Sequence, residues 1–379
     1  MFSFTPNDEQ KQLREELLSL FPENDRGKDV AASGFDRALW KRLGQSRLPG
    51  LAIPVEYGGR GLGALSTVIA LESLGYAHPD NGFNFSLAAH LLACVVPLWL
   101  YGSEELKKTY LPGLCDGRAI AANAMSEPAS GSDAFAMKTI ARPTDTGYIV
   151  TGTKTFVSNG PIADQVLMYA ATDPDKGFMG GISAYWLDRS IHHFTRSDPM
   201  EKAGLHNSHL GSLYFEEMPV GRDHLVGSEG RGAHLFNRSM EWERTCLGGL
   251  HIGNGHRLID QCVRDLRTLI QGGVSKERLQ VIRFDLAELQ TGLEAVRLLT
   301  YSTAWKMDQG KPAGREAAMT KWAISDWYQR CTQRIVSIYG EVGMQNHDAE
   351  RSWMDALSSS LYSGTSEMQK TIIAQSFGL

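Results

Sequence analysis

Residues 240–255 read MEWERTCLGGLHIGNG, and the rest of the chain is interpreted outward from them. The spacing of apolar residues predicts a helix on which Glu243 stands directly before Arg244. Glu241 lies two positions earlier, about 200° away on a helix of about 3.6 residues per turn, so only one of the two glutamates can face a given cavity. We take Glu243 as the candidate functional carboxylate.

Four glycines follow within the same predicted helix: Gly248, Gly249, Gly253 and Gly255. Each costs helix stability relative to alanine, which indicates that something approaches the backbone closely there. The residues alone leave two interpretations open. Either a carboxylate works beside a helix face that carries little bulk, or a surface Glu-Arg pair stands on a helix whose glycines serve packing.

Helical periodicity continues on both sides of a strand-rich middle region. The helical patterns before it cover 7–21, with Asn7 or Asp8 as the cap, then 35–43, 64–75, 86–101 and a helix opened by Ser103. The strand patterns are 139–143, 148–158, 165–171, 181–187 and 212–218. The later helices are long, as in a bundle, and cover 233–269, 276–308, 316–339 and a segment after Thr365.

These patterns predict an α+β protein built as one rigid body. We expect an N-terminal helical domain over 1–115, a middle β domain over 116–226 and a C-terminal helical bundle over 227–379.

Composition excludes several classes of function. The 379 residues are 42% hydrophobic and 21% charged with a net charge of -5, so the chain lacks the basic excess of a nucleic-acid-binding protein. Its five cysteines are odd in number and never spaced as CxxC, which predicts no disulfide framework, no metal site and a reducing, cytoplasmic compartment. The histidine pairs at 192–193 and 206–209 lack the further ligands that a metal needs.

The sequence also predicts no membrane partner. The N-terminus has early acidic residues and no apolar core before a cleavage site, so we expect no signal peptide. The longest apolar run, 86–101, contains His90 and Pro97 and falls short of the roughly 20 residues needed to cross a bilayer. It is expected to be a buried helix.

Three further segments could carry chemistry: AMSEPASGSD at 124–133, GTKTFVSNG at 152–160 and YSGTSEMQ at 362–369. Small hydroxyl residues in the first two could offer hydrogen bonds to a planar polar ligand. Turns rich in Ser, Gly and Asn have the same composition. In the third, Thr365 could cap the last helix, with Glu367 near its first turn.

In this order on a helix-strand-helix chain, the three segments resemble those of the acyl-CoA dehydrogenase family over essentially the whole length. The family reads TEP-x-AGSD, G-x-K-x-[aromatic]-I-[TS]-N-G and Y-E-G-T, and this chain has SEPASGSD, GTKTFVSNG and YSGTSEMQ. The resemblance implies a middle β-barrel or sandwich and a C-terminal four-helix bundle. It also implies an FAD between these two domains, with an acyl thioester stacked on the flavin.

The resemblance assigns site residues by position. The implied cofactor-binding residues are Met125, Ser126, Ser132, Phe156, Ser158, Thr365 and Glu367. Ser126 and Ser132 would lie by the pyrimidine side of the flavin, Phe156 against its ring and Ser158 near its N5 and O4. The implied substrate-binding residues are Ser132, Arg244, Ser363 and Gly364.

One departure concerns the catalytic base. The usual glutamate of the Y-E-G-T motif is Ser363 here, which cannot act as a base at neutral pH. In isovaleryl- and long-chain-type members the base stands directly before the arginine of the first bundle helix. Glu243 before Arg244 fills that position, and we predict that it is the catalytic residue.

Other departures fall on the segments through which a neighbouring subunit reaches the FAD pyrophosphate. The family's R-x-x-F-G segment reads LIQGG at 269–273, and its Q-x-x-GG motif reads SIYGE at 337–341. These changes predict weak retention of the adenine end of FAD. The flavin end keeps its motifs.

Within the family, three phrases look most like the carrier-protein branch, the prolyl-carrier-protein dehydrogenases of natural-product biosynthesis. They are AHLLACVVPLWLYGSEELKKTYL, SNGPIADQVLMYA and WERTCL. The branch implies FAD-dependent α,β-dehydrogenation of an acyl or aminoacyl thioester on a carrier protein, with prolyl as the best guess. It further implies an electron acceptor or oxygen as co-substrate and a homodimer or homotetramer.

Two alternatives stay open. The chain could be an ordinary acyl-CoA dehydrogenase. It could also be a redox-silent, flavin-less relative that acts as a scaffold or binding subunit.

Overall fold

The structure is a computed structural model that describes residues 6–21, 34–277 and 279–378, apart from the side chain of Met179. Helices before the sheet are α1 Asp8–Ser19, α2 Arg37–Gln45, α3 Ala64–Ala77, α4 Asn81–His90, α5 Val96–Tyr101 and α6 Glu104–Cys115. Helices after the sheet are α7 Gly232–Cys246, α8 Gly248–Gln271, α9 Gln280–Asp308, α10 Gly314–Glu341, α11 His347–Leu357 and α12 Ser366–Gln375. The strands are β1 Ala121–Ala124, β2 Ile140–Pro143, β3 Gly147–Ser158, β4 Gln165–Ala171, β5 Ile182–Asp188, β6 Thr195–Arg196, β7 Leu210–Gly221 and β8 Leu225–Val226.

The first helix begins as its sequence predicts. The side chain of Asn7 accepts a hydrogen bond from the backbone N–H of Gln10 at 2.8 Å, and the Gln10 side chain accepts one from the backbone N–H of Asn7 at 3.0 Å. This reciprocal pair satisfies two donors that a helix N-terminus leaves without intrahelical partners. Asn7, and not Asp8, is therefore the cap of α1.

The long apolar helix starts earlier than predicted. Asp80 caps it by accepting from the backbone N–H of Phe83 at 2.9 Å, so helix begins at Asn81 rather than at residue 86. Between α4 and α5 the segment Leu91–Val95 widens into a π-helical turn ahead of Pro97. Proline has no N–H for the carbonyl of Ala93, and the Asn123 side chain donates to that carbonyl at 2.7 Å instead.

The span Asn81–Tyr101 is apolar and long enough to cross a membrane, but 83% of its most apolar window is buried inside the protein. Such burial is typical of a core helix, as the sequence predicts for 86–101. The helix also joins the domains: Asn159, at the end of β3, donates to the carbonyl of Ser86 at 3.0 Å.

The middle domain is one eight-stranded sheet, mostly antiparallel, in the order β6-β7-β3-β2-β4-β5-β8, with β1 parallel to β4. Strand β4 is buried on both faces. Val166, Met168 and Ala170 pack inside the β domain, whereas Leu167, Tyr169 and Ala171 belong to the core shared with the helices. This alternation follows from the period of two in a strand, and it turns one face of β4 toward the helices.

The C-terminal helices pack around a second large core formed by α8, α9, α10 and α11. The predicted helix 233–269 is two helices, α7 and α8, that meet at Leu247. Helix α11 and strand β1 were not predicted. The α+β class and the order of helical, β and bundle domains are confirmed, and the boundaries at 115 and 226 stay a prediction.

The four glycines of α8 serve packing between helices, which corrects the idea that they clear a face beside Glu243. A Cβ on Gly253 would lie 2.0 Å from the Glu72 carbonyl oxygen of α3, and one on Gly249 would lie 2.5 Å from that of Val68. Gly248 and Gly255 instead meet side chains of α10. The close approach that the glycines indicate is therefore made by neighbouring helices.

Candidate active site

Glu243 meets the substituted motif of the last helix. Its Oε1 accepts a hydrogen bond from the Ser363 hydroxyl at 2.5 Å. Glu241 contacts other partners: it accepts from Arg238 Nη1 at 3.0 Å and from the backbone N–H of Ala313 at 3.4 Å. The two glutamates thus point to different surroundings, as their spacing on a helix predicts.

The loop that carries Ser363 is held in one conformation. Ser363 and Gly364 have φ angles of 58° and 88°, in the left-handed region. The Ser363 carbonyl accepts from Arg244 Nε at 3.1 Å and from Gln369 Nε2 at 3.2 Å. A Cβ at position 364 would lie 2.8 Å from Gln369 Nε2, so only glycine fits while that side chain holds the loop.

The surroundings of Glu243 set its basicity. Burial raises the pKa of its carboxyl, while the Ser363 hydrogen bond and the charges of Arg244 and Lys321 oppose that rise. Burial also lowers the pKa of the Arg244 guanidinium, which Glu243 and Glu241 counteract. A carboxylate whose pKa is raised by burial is a stronger base than one in water, and such groups are typical of catalytic sites.

A buried ion pair holds two of the sequence segments together. Lys154 and Glu127 are almost fully buried, and Lys154 Nζ donates to Glu127 Oε1 at 2.8 Å and to the Met125 carbonyl at 2.9 Å. The other oxygen of Glu127 accepts from the backbone N–H of Lys138 at 2.6 Å. The charged residues of SEPASGSD and GTKTFVSNG therefore position these loops, a role that sequence reasoning missed.

The predicted cofactor-binding residues of the β domain line the ends of β1 and β3. Met125 is buried, and Ser126 and Ser158 are half-buried. The carbonyl of Ser126 accepts a hydrogen bond from the backbone N–H of Thr155 at 2.9 Å. Ser132 lies in the exposed loop that follows.

Phe156 is the clearest sign of a ligand on this side. It has a φ of 53°, unusual for a bulky residue, at an irregularity in the pairing of β3 with β7. Phe156 is 64% exposed even though its neighbours Thr155 and Val157 are buried. A strained aromatic side chain directed outward beside small hydroxyl residues fits a planar aromatic cofactor such as a flavin.

Thr365 and Glu367 stand at the start of α12. The Thr365 hydroxyl accepts from the backbone N–H of Met368 at 3.3 Å, so it caps the helix as predicted. Glu367 lies exposed in the first turn. The capping interpretation of this segment is thereby confirmed, and a contact with FAD stays a prediction.

The segments that depart from the family's cross-dimer motifs lie at the far ends of α8 and α10. Gly272 ends α8 and Gly273 has a φ of 101°. Ser337 is exposed and donates to the Gln333 carbonyl at 3.1 Å, and Glu341 accepts from Arg334 at 2.6 Å. The side chains of Ser337 and Glu341 are both exposed at the protein surface.

Sequence reasoning also missed a set of polar groups beneath the Ser363 loop. The Tyr362 hydroxyl lies 2.7 Å from His251 Nε2, and the His251 ring stacks on Tyr328 with centroids 4.7 Å apart and planes at 8°. Lys321 of α10 is only 5% exposed. A lysine inside the apolar stripe of a long helix pattern is the signal that could have identified it.

Comparison with protein-family models agrees with this architecture along the chain. The N-terminal domain of acyl-CoA dehydrogenase matches residues 7–118, the middle domain matches 122–218 and the C-terminal domain matches 230–378. The chain belongs to the acyl-CoA dehydrogenase family. Its resemblance in sequence is thereby confirmed.

Relatives within the acyl-CoA dehydrogenase family point to one branch. An L-prolyl-[peptidyl-carrier protein] dehydrogenase of a Serratia species is 36% identical over 342 residues, 90% of this chain and 88% of that protein. One of Pseudomonas fluorescens is 37% identical over 347 residues, 91% of each chain. The solved structure described as PigA with FAD and proline matches with a TM-score of 0.95 at 32% identity, covering 100% of both chains.

Proposed function

We propose that this chain is an FAD-dependent dehydrogenase that oxidises the Cα–Cβ bond of an acyl or aminoacyl thioester, with a prolyl group on a carrier protein as its substrate. The observation that carries the proposal is the Glu243 carboxylate, placed 2.5 Å from the hydroxyl of the serine that replaces the family's usual base. The proximity of the prolyl-carrier-protein dehydrogenases in sequence and fold supports the choice of thioester.

The proposed chemistry divides between cofactor and protein. FAD, when bound, accepts the β hydrogen as a hydride. Glu243 removes the α proton, and because Ser363 engages Oε1, we assign Oε2 as the oxygen that takes it. Loss of the α proton and the β hydride forms the Cα–Cβ double bond, and the two electrons would pass from the bound FAD to an electron acceptor or to oxygen.

The protein must also make the α proton more acidic. A thioester α proton is too weakly acidic for a carboxylate in water, so donors to the carbonyl oxygen are required as negative charge develops there. We assign the backbone N–H of Ser363 to this task. Arg244 and Gln369 support that assignment because they hold the carbonyl of the same residue and so fix the orientation of the loop.

In this proposal Met125, Ser126, Phe156 and Ser158 hold the flavin. The exposed ring of Phe156 would pack against the flavin, and the ion pair between Lys154 and Glu127 fixes the loops from which these side chains project. Ser132, Thr365 and Glu367 would hold the remainder of the cofactor, and Ser132, Arg244, Ser363 and Gly364 would contact the substrate.

We further propose a cytoplasmic homodimer or homotetramer. All five cysteines are free and buried, as suits a reducing compartment. Val281 and Phe284 of α9 are 65% and 60% exposed, and Leu361 and Phe377 are 63% and 67% exposed. Val281 and Phe284 lie three positions apart on one face of α9, and in this proposal a second subunit covers that face.

An ordinary acyl-CoA dehydrogenase is the second candidate. It is favoured by relatives such as an acyl-CoA dehydrogenase of Bacillus subtilis, 32% identical over 342 residues and 90% of this chain.

The test is mass spectrometry of the acyl group on a prolyl-loaded carrier protein after incubation with the FAD-loaded enzyme. Loss of a pair of hydrogens from the prolyl group is the expected result. A protein that shows no flavin absorbance after purification, and none after FAD is added, would instead be the redox-silent scaffold or binding subunit.

A further inference from the structure

Lys321 occupies the face of α10 that looks toward the Ser363 loop. One turn further along the same face, Ser325 donates to the Ser359 carbonyl at 2.8 Å. Tyr328, almost two turns along, stacks on His251. Residues three, four and seven positions apart share one side of a helix, so Lys321 is directed into the region between α7, α8 and α12.

The ammonium of Lys321 is buried, and no hydrogen-bond acceptor for it occurs among residues 6–21, 34–277 and 279–378. Burying an unpaired charge destabilises a protein, so a lysine at this position calls for a reason other than stability. Burial lowers the pKa of Lys321 to about 8, with Arg244 acting in the same direction and Glu243 and Glu367 opposing. At neutral pH the side chain is therefore mainly a cation.

We propose that Lys321 is a positioning residue for catalysis: its buried ammonium keeps the Glu243 carboxylate ionised, and so competent as a base, in surroundings that disfavour a negative charge. This inference rests on the proposed function. The charge of Arg244 lowers the pKa of Glu243 as well, and Arg244 Nε also donates to the Ser363 carbonyl. Lys321, which has no such bond, acts through its charge.

The other titratable groups around Glu243 and Lys321 keep a constant charge over the pH range of the experiment. Burial lowers the pKa of His251 to about 3, so its ring is neutral. Burial raises the pKa values of Cys94, Tyr169 and Tyr362, so that thiol and those phenols are neutral as well. A guanidinium stays protonated in proteins, so Arg244 keeps its charge, and hydrogen bonding lowers the pKa of Glu367, which keeps that carboxylate ionised. Glu243, whose pKa burial raises, and Lys321, whose pKa burial lowers to about 8, are thus the groups to follow between about pH 5 and pH 9.

The Lys321 cation lowers the pKa of Glu243. A cation near Glu243 stabilises its ionised form, so removing the cation raises the pKa of the base. The rate of flavin reduction should rise with pH as Glu243 ionises, and we call this rise the acid limb of the pH profile. Lys321→Met should move the acid limb to higher pH by on the order of one pH unit, the shift expected from one partly buried charge. At high pH, where Glu243 is ionised in both proteins, the Lys321→Met and parental rates should agree within about twofold.

The experiment measures anaerobic flavin reduction by saturating prolyl-carrier protein across this pH range, in FAD-loaded enzyme. Lys321→Arg keeps the charge and should keep the parental limb. Lys370→Met is the matched control, because Lys370 is an exposed lysine on α12 that lies 5.2 Å over the Trp322 ring, and its limb should not move. Lys321→Gln replaces Lys321→Met if the latter does not fold, and the same shift is expected.

A purely structural role would give a different result. If Lys321→Met lowers the rate by the same factor at every pH, or if its limb superimposes on the parental one, the proposal is overturned. If no thioester reduces the flavin of the parental enzyme at any pH, that result would instead count against the proposed function itself.

Discussion

Replacing Glu243 by glutamine separates its basicity from its shape. The amide keeps the length of the side chain, and its oxygen can still accept the 2.5 Å hydrogen bond from Ser363. Burial disfavours the carboxylate, so the neutral amide removes that desolvation cost, and Arg244 keeps its hydrogen bond to the Ser363 carbonyl, so the variant should fold. What it loses is the lone pair that takes the α proton, an effect of about 10² to 10⁴ in rate, or roughly 3 to 5.5 kcal/mol of activation free energy.

The assay is anaerobic flavin reduction by the prolyl thioester, with FAD content and substrate binding measured on the same samples. Glu241→Gln is the control, because that carboxylate contacts Arg238 and the Ala313 N–H instead of the Ser363 loop. Its rate should stay within about threefold of the parental rate, since a partly exposed ion pair contributes little. Near-parental reduction by Glu243→Gln, or a loss confined to Glu241→Gln, would show that the base lies elsewhere.

Three more substitutions test separate parts of the structure. Burial raises the pKa of Glu243 and the Ser363 hydroxyl opposes it, so Ser363→Ala should move the acid limb of flavin reduction upward by about half to one pH unit and leave the alkaline rate intact. Lys154→Met leaves Glu127 buried without its counter-charge and should lower the free energy of unfolding by about 3 to 5 kcal/mol in chemical denaturation. Gly253→Ala would place a Cβ against the backbone of α3 and should lower the free energy of unfolding by about 1 to 3 kcal/mol.

Each of these predictions has its own control. An unshifted limb in Ser363→Ala would mean that its hydroxyl does not tune the base. The double substitution Glu127→Gln with Lys154→Met should recover part of the stability lost by Lys154→Met, and strict additivity of the two losses would contradict the coupling. Gly340→Ala, at a helical position with open space around it, should stabilise α10 by up to about 1 kcal/mol, so an equal loss at both glycines would refute the packing argument.

The order of domains and most helices could be predicted because helical and strand periodicity are local properties of the chain. Helical spacing separates Glu243 from Glu241, and the choice of Glu243 as the base follows from the family resemblance. Its partner in space, Ser363, was identified as a substrate-side residue only through the family resemblance. The hydrogen bond between them joins segments far apart in sequence, which no local pattern reports.

The features that the sequence did not predict also depend on contacts between distant segments. A glycine pattern cannot say whether a ligand or another helix approaches, and in α8 it is α3 and α10 that do. The early start of the apolar helix depends on the cap provided by Asp80. The role of Lys321 depends on which face of α10 meets the loop, a property of the assembled bundle. Weak retention of FAD at the adenine end, expected from Ser337 and Glu341, stays a prediction.

The most direct test of the central claim compares two carriers of the same acyl group. FAD-loaded enzyme is mixed without oxygen with prolyl-carrier protein or with prolyl-CoA at equal concentration, and the loss of flavin absorbance is followed. Faster reduction by the carrier-protein thioester is the predicted result. Equal or faster reduction by the CoA thioester would contradict a carrier-protein dehydrogenase, and an unbleached flavin with both would contradict thioester dehydrogenation altogether.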